Sequence, residues 1–190
     1  GYVIKLLAIA RRTEGRVLAR VHPAFLPISH PLAKVDGVYN AVELEGDLVD
    51  WAMVQGPGAG ARPTASAILA DVVAIGRAIV GGARTAPSPL LDEALTIETL
   101  DDLETKYYIR LRASDRPGVM AQVTQVLGDL NVGLASVIQK PVGETGKTAE
   151  IVITTHLARE RAVQQALQQL SALDSVDEVG SLVRIEERSE

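Results

Sequence analysis

The chain has 190 residues, 47% hydrophobic, 23% charged and 3% aromatic, with a formal net charge of -5. That apolar fraction supports a core of Val, Ile, Leu and Ala and excludes global disorder, while the acidic balance lacks the basic stripe of a nucleic-acid surface. There is no cysteine, hence no disulfide, thiolate metal site or cysteine nucleophile, as suits a reducing cytoplasm.

The length allows one or two domains. Gly1-Tyr2-Val3-Ile4 is already inside an apolar segment and carries no initiating Met, so the chain reads as a fragment of a longer protein. No signal peptide is visible. No run of about 18 apolar residues is free of charge, so no membrane span is expected.

Val3 to Ala10 reads as a buried strand, Arg11 to Gly15 as a turn, and Arg16 to Val21 as the antiparallel partner. His22 to Ile28 is extended, because each proline disfavours helix just before it. Pro31 to Val35 fits one helical turn. Val38 to Leu44 and Leu48 to Val54 add two strands, giving an antiparallel sheet of about four. Pro63 to Val80 predicts a helix that is apolar on most faces and therefore buried.

The stretch Gln55-Gly56-Pro57-Gly58-Ala59-Gly60-Ala61-Arg62-Pro63 enters that helix. Glycines permit positive φ and close approach of a ligand, and a helix N-terminus presents free N–H groups. A tight turn packed on a neighbouring element explains the same residues. Lys5, in an apolar strand, is either a general acid or a stem that packs while its ammonium reaches a carboxylate. His22, His30 and His156 lack ligand spacing, so no metal site is expected. Thr64 and Ser66 have no His–Asp partner and suit hydrogen bonds within the first helical turn.

The run Gly1 to Ala8, then Val21-His22-Pro23, Val38-Tyr39-Asn40-Ala41-Val42, and Gly56-Pro57-Gly58-Ala59-Gly60 with Pro63-Thr64-Ala65-Ser66-Ala67 resembles bacterial homoserine dehydrogenase. The resemblance implies that residues 1–86 are the C-terminal part of the catalytic and dimerisation domain. It implies NADP- or NAD-dependent interconversion of L-homoserine and L-aspartate 4-semialdehyde in threonine and methionine biosynthesis. It places Gly58, Ala59 and Gly60 at the cofactor. The family's Rossmann domain and catalytic lysine would lie before Gly1. No catalytic residue is therefore assigned here, and the fragment alone is expected to be inactive and to hold no cofactor.

Gly81-Gly82 stops the helix. Residues 87–105, with Pro87, Pro89 and acidic residues, read as a solvated linker. From residue 106 the periods are clean. Tyr107 to Ala113 alternates with Ile109, Leu111 and Ala113 inward. Ser114 or Asp115 caps a helix that Pro117 opens, with Val119, Val123 and Leu127 on its core face. Leu134 to Lys140 and Thr148 to Thr155 form strands, Ala158 to Leu173 a helix, and Val176 to Ile185 a last strand. The order is βαββαβ, one sheet face under two helices. The whole is α+β: a partial antiparallel sheet with a long buried helix, then a ferredoxin-like domain over residues 106–190.

That order, with Asp115-Arg116-Pro117-Gly118-Val119 after Tyr108-Ile109-Arg110-Leu111, resembles an ACT regulatory domain. The resemblance implies an amino-acid effector, threonine above others, bound by Asp115, Arg116, Pro117, Gly118 and Val119, with Asn131 across a dimer interface and Ser136 and Gln139 assisting. It implies a cytoplasmic homodimer or higher homo-oligomer. The competing readings are a free-standing amino-acid-binding dimer without catalysis, and an ACT fold kept only for oligomerisation.

Overall fold

A computed structural model describes residues 1–82, 95–142 and 147–187. The chain forms two compact units, Gly1–Pro27 with Leu95–Glu190, and Ile28–Ala94.

The first unit begins with β1 (Tyr2–Thr13) and β2 (Arg16–Pro27), paired antiparallel from Thr13↔Arg16 outward. Glu14 and Gly15 both take positive φ, 45° and 79°. That is the two-residue turn whose twist matches a hairpin. The second unit contains β3 (Tyr39–Gly46) and β4 (Asp50–Pro57), a separate two-stranded sheet, and α1 (Ala61–Val80). A 3-10 turn, Pro31–Lys34, stands near the expected Pro31–Val35.

Residues 95–187 complete the first unit with β5 (Thr96–Ile97), β6 (Glu104–Ser114), α2 (Val119–Asp129), β7 (Leu134–Val142), β8 (Thr148–Thr155), β9 (Ala158–Arg159), α3 (Glu160–Ser171) and β10 (Val176–Ile185). The main sheet runs β1-β2-β10-β6-β8-β7, with β5 against β2 and β9 against the start of β6. The core contains Ile109, Leu111, Ala113, Val123, Leu127, Ile151, Ile153, Val163, Ala166 and Leu170, all buried. These lie at the period-2 and period-3.6 positions of their strands and helices. Burying alternate faces is what fixes such a register.

Three expectations are corrected. The four early strands do not share a sheet. The first hairpin joins the C-terminal sheet through parallel pairs Arg184↔Ala24 and Ile185↔Phe25, while the second stands alone. Turns specify each hairpin locally, but nothing in a strand's pattern says which edges meet. The long helix is not buried: none of its residues is. Ile68, Leu69, Val72, Val73, Ile75 and Ile79 are all exposed, because its apolar residues surround it and one chain does not cover every face. By length and composition this helix could cross a membrane, which the apolar-run criterion missed. Asp71 stands at its centre, where a bilayer would charge about 2.5–3.5 kcal/mol for a carboxylate. Finally, neither Ser114 nor Asp115 caps α2: its N-cap is Gly118, at φ 90°, with no side-chain cap.

The expected linker is structured in its described part. Thr96 pairs with Arg16, Leu103 is buried, and Asp101 and Asp102 lie 3.6 and 3.7 Å from Arg161 at the surface. Residues 87–94 lie outside the described residues.

Candidate functional site

Among the described residues, Ser114, Asp115, Arg116, Pro117, Gly118, Val119, Met120, Gln139 and Ile151 line a half-open concavity of about 450 Å³. It forms where β6 ends and α2 begins. The Asp115 N–H donates to Lys147 O at 2.8 Å, and the Gln139 amide donates to Asp115 Oδ1 at 2.9 Å. This fixes one carboxylate at the rim. Gly118 then turns the chain in the left-handed region, so α2 starts with its first-turn N–H groups beside the cavity. A carboxylate ligand suits those donors and the macrodipole behind them, and an ammonium suits Asp115.

Five predicted effector residues, Asp115, Arg116, Pro117, Gly118 and Val119, converge here, as does Gln139. Asn131 does not. It follows the far end of α2, about 16 Å away for an 11-residue helix. It has a structural role of its own there. At φ 56° it is the left-handed residue after the helix, with its N–H on Gly128 O and the next N–H, of Val132, on Leu127 O. Ser136 is also away from the cavity lining, and its hydroxyl bonds the Thr154 hydroxyl at 2.7 Å.

Sequence reading missed Ser175. Its side chain is buried, 3% exposed, and its hydroxyl donates to Gln122 Oε1 at 2.7 Å in α2. Its carbonyl accepts from the Ser114 N–H at 2.9 Å. It therefore ties together the two elements that flank the cavity loop. A serine before a strand carries no distinguishing signal.

In the second unit, Gly58, Ala59 and Gly60 form the exposed entry to α1. The Gly58 N–H donates to Val38 O at 2.7 Å, and a Cβ at Gly58 would run into the side-chain amide of Asn40. Packing on β3 therefore explains Gly58. Gly60 holds φ 123° as the N-cap without a side-chain cap, which leaves backbone donors at the helix start.

Two buried ionic clusters stand at the other end of the main sheet. Glu160 receives Arg184 at 2.7 and 2.8 Å, Gln164 at 2.7 Å and the Tyr107 hydroxyl at 3.0 Å. Burial alone would raise the Glu160 pKa, but these donors outweigh it and hold the carboxyl below its ordinary value. Burial, then the charge of Glu160, raises the Tyr107 hydroxyl far above its own. In the other cluster Arg20 Nη2 donates to both oxygens of Glu186 at 2.9 Å, and Arg20 Nε donates to His22 Nε2 at 3.1 Å. His22 is thus the Nδ1–H tautomer, donating to Pro23 O at 3.1 Å.

A glycine-rich helix entry is followed in the chain by a ferredoxin-like unit with two helices on one face of its sheet. Residues 1–73 match the family model for homoserine dehydrogenase, and residues 107–175 match that for the ACT domain. The homoserine dehydrogenase of Neisseria gonorrhoeae is 40% identical over 98% of this chain, and that of Mycobacterium tuberculosis 40% over 98%. The crystal structure of a homoserine dehydrogenase from Thiobacillus denitrificans superposes with a TM-score of 0.84 at 38% identity, over 98% of this chain and 43% of that one. The chain belongs to the homoserine dehydrogenase family and corresponds to its C-terminal region, ending in an ACT domain. It spans 44% of the length of these two curated relatives.

Proposed function

We propose that this chain is the cofactor-wall and regulatory region of an NAD(P)-dependent homoserine dehydrogenase, which interconverts L-homoserine and L-aspartate 4-semialdehyde. The observation that carries this reading is the ordered match to that family across 98% of the chain. Residues 1–86 are the end of the catalytic and dimerisation domain, 87–105 the linker and 106–190 the ACT domain. When bound, the nicotinamide cofactor supplies or accepts the hydride. This chain's part is to hold the cofactor's edge at Gly58, Ala59 and Gly60 and to sense an amino acid.

The effector is threonine. Its carboxylate meets the N–H groups at the start of α2, and its ammonium meets Asp115, which Gln139 orients. Arg116, Pro117, Gly118 and Val119 shape the cavity, and Asn131 approaches from a second subunit. The protein works as a cytoplasmic homo-oligomer, and the exposed apolar residues of α1 supply surface for subunit or domain contact.

The test is NADPH oxidation in the presence of L-aspartate 4-semialdehyde. The 190 residues alone are expected to show none, and the gene's full reading frame is expected to show turnover that threonine lowers. Turnover by the 190 residues, or none by the full frame, overturns the reading. A melting temperature unmoved by threonine or any other amino acid favours an ACT fold kept for assembly.

A further inference from the structure

The first hairpin, β1 and β2, lies within the segment matched to the dehydrogenase family, yet it is built into the sheet of the ACT domain. The strand that joins them is β10, which follows the ACT family match at residue 175. At one end β10 emerges from Ser175, the buried residue that bonds both Ser114 and Gln122 around the effector cavity. At the other end it grips the hairpin. Arg184 and Ile185 pair with Ala24 and Phe25, the Glu186 N–H donates to Phe25 O at 2.9 Å, and the Glu186 carboxylate receives Arg20 at 2.9 Å through both oxygens. The Arg20 side chain is 6% exposed, so this pair is sheltered from screening. Glu187 adds Lys106 at 2.5 Å and the Tyr2 hydroxyl at 3.3 Å, and Phe25 stacks edge-on between Tyr2 and Tyr108.

The two grips are about 35 Å apart, at roughly 3.3 Å per strand residue. Between them β10 is uneven. Its pairing with β6 slips between Val176 and Glu178 and again between Val179 and Ser181, then runs regularly from Ser181 to Ile185. The cavity end of β10 is therefore bulged, with its pairing to β6 interrupted, while the hairpin end is regularly paired.

We propose that β10 carries the effector's signal from the ACT cavity to the first hairpin of the dehydrogenase segment, with Ser175 as the input contact and the Arg20–Glu186 pair as the output contact. This rests on the effector reading above. A ligand on the Ser114–Gly118 loop draws Ser114 and Gln122 together. Ser175 is bonded to both, so β10 moves with them, and Glu186 moves Arg20 and β2. These are positioning residues and touch neither substrate nor cofactor.

Hydrogen exchange of the 190-residue chain tests this, with saturating L-threonine as the probe. Threonine is expected to slow exchange at residues 114–122 and also, by about fivefold or more, at Arg20 to Phe25, the low end of an ordinary coupling. In Glu186→Gln, threonine binding and the loop response persist while the β2 response disappears; a purely structural pair would lower basal protection without removing the ligand-dependent difference. Loop protection without β2 protection in the wild type overturns the proposal and leaves the effector reading standing. So does a full β2 response in Glu186→Gln. No change at either place, with no shift in melting temperature, fails the effector reading and this inference with it.

Discussion

Single residues here do work that their type alone does not announce. Gly58 and Gly118 look alike in sequence, but different forces hold them. At Gly58 the constraint is space, since the Asn40 amide occupies the position of a Cβ. Gly58→Ala is expected to cost about 0.5–1 kcal/mol, because the exposed Asn40 amide has to swing out of the way. In an Asn40→Ala background most of that cost should vanish, a coupling that urea unfolding of the two single variants and the double variant would measure. At Gly118 no atom lies within 4 Å of a Cβ, and the constraint is φ 90°. Gly118→Ala is expected to cost about 1–2 kcal/mol, and Gly118→Asn less, because Asn tolerates the left-handed region. Equal melting temperatures for the two variants would refute this.

Glu160 is a third case. Its carboxyl is held below its ordinary value of 4.5. A carboxylate depressed by folding adds stability that is complete above the unfolded value and is lost as pH falls through the folded one. Glu160→Ala strands Arg184 in a buried site and is expected to cost about 3–5 kcal/mol at neutral pH. The loss in wild-type stability as pH falls below about 4.5 should be shallower in the variant. Urea titrations of both proteins between neutrality and that range would check it.

At the scale of elements, legibility tracked periodicity. Alternating Ile109, Leu111 and Ala113, and helical Val119, Val123 and Leu127, gave the ACT fold and its core directly, because one face of each element is buried. The loop at Asp115–Gly118 was equally readable, since a proline and a glycine with a rigid role punctuate it. Three things were not readable. The start of α2 is set by the Gly118 backbone rather than by a side-chain cap, so a propensity argument chose Ser114 or Asp115. The docking of β2 on β10 uses two residue pairs, too few to leave a pattern. Arg20, His22 and Glu186 look like solvated charges until the fold brings them together. Of the glycine-rich loop before α1, the glycines were legible but the reason for Gly58 was not, because Asn40 lies on another strand.

For the whole molecule, the exposed apolar surface of α1 is the largest unsettled term. Ile68, Leu69, Val72, Val73, Ile75 and Ile79 are all exposed, and each would gain about 25 cal/mol per Å² of apolar surface if a partner covered it. Replacing Leu69 and Val73 by Glu is expected to leave unfolding of the isolated chain within about 0.5 kcal/mol, since neither side chain is buried in it. The same pair should lower the association state seen by light scattering. An unchanged association state would remove α1 from the interface.

The joint between β2 and β10 also bears on how the chain is made. Arg20 and Glu186 are separated by 166 residues. A ribosome adding about 5–20 residues per second takes on the order of ten seconds to cross that interval. During it the first hairpin has emerged but its β2 edge has no partner, with Leu6 74% exposed on β1 even in the finished fold. β1 and β2 are thus translated well before the strand that seals their edge, and that edge stays open for the whole interval.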